Sequence, residues 1–113
     1  MMNKTKINIL GTPYQILFKQ PEEDTTLTDL YGYTDPITKV ICIDAKDYMN
    51  IIDNELHRKE VLRHETIHAF LAESGLDNNA HKSDHWAIDE EIVDWLAIQG
   101  PKIYKVWTEL NIL

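Results

Sequence analysis

Apolar and polar positions alternate through the first 45 or so residues and then change to a helical spacing. Lys6–Lys19 (KINILGTPYQILFK) reads as two short strands around Gly11-Thr12-Pro13, a turn signal between apolar, β-branched stretches. Gln20–Asp29 is acidic and Thr-rich, carries Pro21, and reads as an exposed connection. Leu30–Thr34 and Lys39–Asp44 predict a second hairpin about Asp35-Pro36, with Val40, Cys42 and Asp44 alternating with Ile41 and Ile43. Ile41 and Ile43 share one strand face, the one expected to lie under helix. The expected result is a small antiparallel sheet.

From about Lys46, Met49, Ile52 and Leu56 fall at helical spacing and lead into a helix reaching Glu73, either continuous or broken near Asn50–Asn54. Leu56–Glu73 has no Pro or Gly, and Gly75 sits where a left-handed helix stop belongs. Leu76–Lys82 reads as a polar loop. Ser83 or Asp84 would cap a helix over His85–Gln99, stopped by Gly100-Pro101. A last short helix, Lys102–Asn111, places Ile103, Val106, Trp107 and Leu110 on one face. Trp86, Trp95 and Trp107 stand at helical positions and read as packing residues. Strands first and helices after make the class α+β, in one domain spanning residues 1–113.

Composition narrows the function classes. With 43% apolar and 27% charged residues the chain is an ordinary globular one. No apolar run approaches the roughly 20 residues of a membrane span, and no long apolar stretch follows the basic residues of the N-terminus, so neither a membrane partner nor a signal peptide is expected. The lone Cys42 excludes an internal disulfide and fits a reducing compartment, so a cytoplasmic location is expected. The net charge of -8, with no basic cluster beyond His57-Arg58-Lys59, argues against nucleic acid as a partner. Oligomeric state is open.

The chemistry is concentrated in His64-Glu65-Thr66-Ile67-His68, a complete His-Glu-x-x-His motif inside the long predicted helix. Its histidines stand one turn apart, about 40° around the axis and roughly 6 Å along it, so both imidazoles can reach one cation. Glu65 projects beside them, where it can take a proton from a water on the metal. Val61 and Leu71 run an apolar stripe through the same turns.

A catalytic zinc site needs a third protein ligand. The metzincin continuation fails, because Leu71 and Ser74 stand where Gly and His are required. His81, His85, Glu90 and Glu91 are the candidates. Glu90 is favoured because Asp94, one turn on, shares its face with Val93 and Ala97, and an acid there can sit behind a liganding histidine and fix its tautomer. Glu91 has Asp94 and Trp95 as its turn neighbours, a less coherent ligand face.

His64-Glu65-x-x-His68 followed by Glu90-x-x-x-Asp94 resembles the gluzincin pattern of thermolysin-like zinc peptidases, in which the third ligand is Glu and the later Asp orients the first His. Glu90–Ala97 (EEIVDWLA) also resembles the corresponding helix of the ImmA/IrrE family of small bacterial and phage metallopeptidases. The resemblance covers about Leu30–Ala97. It departs from that family where Ile98-Gln99-Gly100-Pro101 replaces the Leu-Pro segment, and in having no helix-turn-helix domain attached. The likeness is therefore to the wider clan, and most to minimal zincins of phage or mobile elements.

The resemblance implies a peptidase with Zn²⁺ on His64, His68 and Glu90, with Glu65 as general base, Asp94 behind His64, and a protein or peptide as substrate. Tyr31, Tyr33, His81 and His85 are candidates for stabilising the oxyanion, by side-chain type alone. A substrate strand is expected to pair with an edge of the sheet. The competing class is an interaction protein of phage-regulator type, metal-stabilised or metal-free, without hydrolase activity. Glu65 weighs against it, because a purely structural metal site does not require that residue.

Overall fold

The computed structural model describes residues 5–75 and 90–113, apart from the side chains of Glu90, Glu91, Val93, Asp94 and Ala97. In chain order it contains β1 (Lys6–Ile9), β2 (Thr12–Lys19), a 3-10 turn (Thr25–Thr28), β3 (Gly32–Asp35), β4 (Val40–Asp44), α1 (Asn54–Glu73) and α2 (Glu90–Leu110). The class is α+β, with helices packed on one face of a four-stranded sheet.

Both predicted hairpins form. Their turns and their union differ from expectation. β1 and β2 are antiparallel with Ile9 opposite Thr12, so the turn is Leu10-Gly11, at φ 51° and 92°. Two left-handed residues in a two-residue loop match the twist of the strands they join. Pro13 lies inside β2, opposite Asn8. It is tolerated because its nitrogen turns away from β1, and the pairing of β2 with β4 begins only at Gln15.

The sheet is mixed, with order β1-β2-β4-β3, which corrects the expected antiparallel sheet. β4 inserts between β2 and β3, parallel to β2 and antiparallel to β3. The physical reason lies in β4 itself. Ile41, Cys42, Ile43 and Asp44 are all buried, and a strand apolar on both faces belongs in the middle of a sheet. β3 is left as an edge.

Ile7, Ile9, Tyr14, Ile16, Ile41 and Ile43 form the sheet side of the core. α1 lays Leu62, Ala69 and Phe70 against them. It starts at Asn54 because Asp53 caps it, its carboxylate accepting from the Leu56 N–H. Of the two expected starts, the broken one is found. Met49 and Ile52 are fully exposed in an irregular segment, held by Asn54, whose amide side chain bonds both the N–H and the C=O of Tyr48. Gly75, at φ 85°, stops α1 as expected.

The C-terminal helices predicted on either side of Gly100-Pro101 are one helix, with Pro101 inside it. Pro removes a backbone hydrogen bond there. The loss is offset because Ile92, Trp95, Ile103, Val106 and Leu110 keep one helical phase across the proline and all face the core. α2 runs back along α1. Trp95 donates to the Ser74 hydroxyl (3.1 Å), Trp107 to the Thr66 hydroxyl (2.8 Å), and Arg63 to the Ile112 carbonyl. No helix among the described residues is long and apolar enough to cross a membrane.

Candidate metal centre

α1 passes over the β3 edge with its motif turn split between two environments. His64 and His68 are exposed, whereas Glu65, between them in sequence, is buried with 7% of its surface accessible. A step of about 100° per residue takes Glu65 off the histidine face and turns it towards β3. Thr34 of β3 meets it there. The Thr34 hydroxyl lies 2.8 Å from a Glu65 carboxylate oxygen and 2.8 Å from the Glu65 carbonyl, and donates to both.

The close approach of β3 to α1 depends on Gly32. A Cβ at that position would stand 2.8 Å from Val61 Cγ1, 3.0 Å from the Cys42 carbonyl oxygen and 3.1 Å from Ile43 Cδ1. Only hydrogen fits between the strand and the helix. From behind, the Trp107–Thr66 and Arg63–Ile112 bonds fix the same helical turns.

The imidazoles of His64 and His68 bring their Nε2 atoms to 3.1 Å, with ring centroids 4.9 Å apart and planes at 65°. Two nitrogens at zinc-bond length in a tetrahedral shell are separated by about 3.3 Å, so the pair is spaced as two ligands of one Zn²⁺. A neutral imidazole pair can also hold that spacing by an N–H···N bond. Both histidines and Glu65 line a cavity of about 320 Å³ with Leu30, Gly32, Tyr33, Thr34, Pro36 and Ala72. The two imidazoles are the described donors, and such a pair suits a divalent cation of nitrogen preference.

Among the described residues no three His, Cys, Asp or Glu side chains gather as a metal-binding group. Glu90 is the first residue of α2 and Asp94 lies one turn on, but their side chains, and that of Glu91, lie outside the described residues, as do His81, His85 and Trp86 altogether. The Trp95–Ser74 bond sets the start of α2 near the C-terminal end of α1, with Ser74 about 9 Å along the helix from His68.

The other sequence candidates separate clearly. Tyr33 points to the sheet face opposite α1, where its hydroxyl donates to Asp24 (2.5 Å). That bond raises the Tyr33 pKa well above the usual tyrosine range and lowers that of Asp24, so the hydroxyl proton is engaged by Asp24 while the residue borders the histidine cavity. Cys42 sits beside them, its thiol 3.8 Å from Asp24 and its pKa raised chiefly by burial. Tyr31 stays on the cleft side, edge-on to His57 (4.5 Å between ring centres) and to Tyr48 (5.8 Å). Tyr48 donates to Asp44 (2.6 Å), which pushes the Tyr48 pKa up to about 12.

Sequence reasoning missed Thr34 and Gly32. Neither belongs to a motif, and only the β3–α1 approach gives them a role at the site. It also missed Glu73, which accepts from Thr12 (2.9 Å), Tyr14 (2.7 Å) and Lys39 (2.7 Å) and ties the end of α1 to the sheet. No protein-family model, curated protein or solved structure matches the chain.

Proposed function

We propose that the chain is a zinc-dependent peptidase acting on a protein substrate, with His64 and His68 as ligands and Glu65 as general base. The observation that carries this reading is the split motif turn, with two exposed imidazoles at ligand spacing and a buried, oriented carboxylate, all lining one cleft. A helix with two incidental surface histidines has no need to bury a glutamate between them, because an ionised carboxylate is costly to take out of water.

Zn²⁺ on the two histidines would polarise a scissile carbonyl and lower the pKa of its bound water to about 7. Glu65 would accept the proton of the attacking water and deliver it to the leaving amine. Thr34 holds one carboxylate oxygen of Glu65, a residue that lines the cleft. Glu90 is the proposed third ligand and Asp94 the acid behind His64, with Glu91, His81 and His85 as the competing donors. The β3 edge supplies a docking line for substrate. Tyr31 pairs with Asp44 through its carbonyl, so by alternation the N–H and C=O groups of Gly32 and Thr34 turn away from β4 towards the open side.

Metal content of the purified protein, measured by plasma mass spectrometry, tests the site. About one zinc per chain, lost in His64→Ala and in Glu90→Ala and kept in Glu65→Gln, is the expected pattern. Zinc kept in Glu90→Ala would move the third ligand to Glu91 or a histidine. Protein that takes up no zinc would refute the peptidase reading and favour an interaction protein.

A further inference from the structure

Next to the cavity that holds the histidines lie two more. One of about 290 Å³ is lined by Leu30, Tyr31, Gly32, Glu60, Val61, His64 and Glu65. The other, of about 210 Å³, is lined by Leu27, Thr28, Asp29, Leu30, Tyr31 and Tyr48. Leu30 borders all three, and Tyr31 borders the outer two, so they form one trough along the approach to β3. Among the described residues three carboxylates line it (Asp29, Glu60 and Glu65) and no Lys or Arg does.

We infer that the cavity between the 3-10 turn and Tyr48 is a specificity pocket for an arginine or lysine side chain of the peptide substrate. This rests on the peptidase reading for the identity of the ligand as substrate. The pocket's chemistry follows the length of such a side chain. Leu27 and Leu30 offer an apolar wall for the methylene stem, and Leu27 is buried so that the wall is fixed. Tyr31 supplies aromatic surface for a cation, held at 84° to Tyr48, whose ring already carries the ammonium of Lys46 at 5.3 Å from its centroid. The Tyr48 hydroxyl is already committed to Asp44, which removes a free donor that would compete with the incoming cation. Asp29 places a carboxylate at the lining, exposed and without a cationic neighbour among the lining residues. Asp29 is the one charged residue among the described residues lining this pocket, and the net charge of -8 favours the approach of basic peptides to the chain as a whole.

The test uses the full-length Glu65→Gln variant, which keeps the Thr34 acceptor but cannot turn over, and short fluorescent Ser/Ala/Gly peptides carrying one central Arg, Lys, Leu, Phe or Glu. Fluorescence anisotropy should show the Arg and Lys peptides binding about tenfold tighter than the Leu or Phe peptides, with Glu weakest. Asp29→Asn, at an exposed position, should erase the preference and leave the fold unchanged by circular dichroism. Preference for Leu or Phe, equal binding of all five, no binding, or an Arg preference that survives Asp29→Asn would each overturn the pocket assignment. Arg and Lys peptides that bind selectively but are never cut by zinc-loaded wild-type protein would leave the pocket standing and refute the peptidase reading alone.

Discussion

Replacing Gly32 by alanine should destabilise the protein and open the β3–α1 seam. Gly32 does not have a positive φ, so the effect comes from space alone. The added methyl would stand 2.8 Å from Val61 Cγ1, where ordinary carbon contacts lie at 3.5–4.0 Å. About 1 Å of movement is needed. The Cys42 carbonyl at 3.0 Å belongs to the paired strand and cannot retreat, so β3 must lift from α1 or Val61 must change rotamer. Overpacking of this size costs about 1–3 kcal/mol, less about 0.5–1 kcal/mol gained because alanine is the better strand residue. Because the Cys42 carbonyl cannot give, the upper part of that range applies, so the net is roughly 1–2.5 kcal/mol, or a fall in Tm of about 4–10 °C for a chain of this length. Urea denaturation of Gly32→Ala, Val61→Ala and the double variant measures it as a cycle. Val61→Ala removes the first atom met, so the double variant should be more stable than additivity requires by about 1 kcal/mol. Stability of Gly32→Ala within 0.5 kcal/mol of wild type, or strict additivity, would refute the steric account.

Three further outcomes are expected. Glu65→Leu should leave stability unchanged or raised by about 1 kcal/mol in chelator-treated protein, since a well-packed apolar residue commonly replaces a buried charge without loss; a drop of 3 kcal/mol in denaturant titration would make Glu65 structural. The Glu73 carboxyl is held below its ordinary value of 4.5, first by Lys39 and then by Tyr14 and Thr12. Its contribution is therefore present above that pH and is lost as pH falls through the folded-state value, so the denaturation midpoint should drop below about pH 4.5 in wild type and less in Glu73→Gln. Leu10→Asn should add up to about 1 kcal/mol, because asparagine tolerates the left-handed φ of 51° better than leucine; an unchanged thermal midpoint would contradict this.

The sequence shows its short-range structure and hides most of what joins distant parts. Both hairpins, the Gly75 stop and the motif helix follow from local patterns, and all are present. Two sequence signals act against the nearest local pattern. Val40-Ile41-Cys42-Ile43 is apolar on both faces, which marks a central strand and hence β4 between β2 and β3. The positions 92, 95, 103, 106 and 110 keep one phase through Gly100-Pro101, which marks one helix where Pro alone suggested a boundary. The Gly32 and Thr34 contacts had no such signal. A glycine without positive φ and a threonine in a strand look ordinary until the helix that approaches them is known.

The boundary between β3 and α1 runs through the motif, between His64 and Glu65, and this separates two properties of the site. The spacing of His64 from His68 is set inside a single helical turn, so it does not depend on where β3 lies. The orientation of Glu65 does depend on it, through one hydroxyl of Thr34. Thr34→Val removes that hydroxyl at nearly constant shape and leaves both imidazoles untouched. On the peptidase reading, zinc content should stay at the wild-type level while turnover falls about tenfold, because a general base loses rate when its geometry loosens even slightly. If zinc were lost along with turnover, Thr34 would be holding the helix itself and the two properties would be one. If neither changed, the carboxylate would be positioned by its burial, and the Thr34 bond would serve only to join strand to helix.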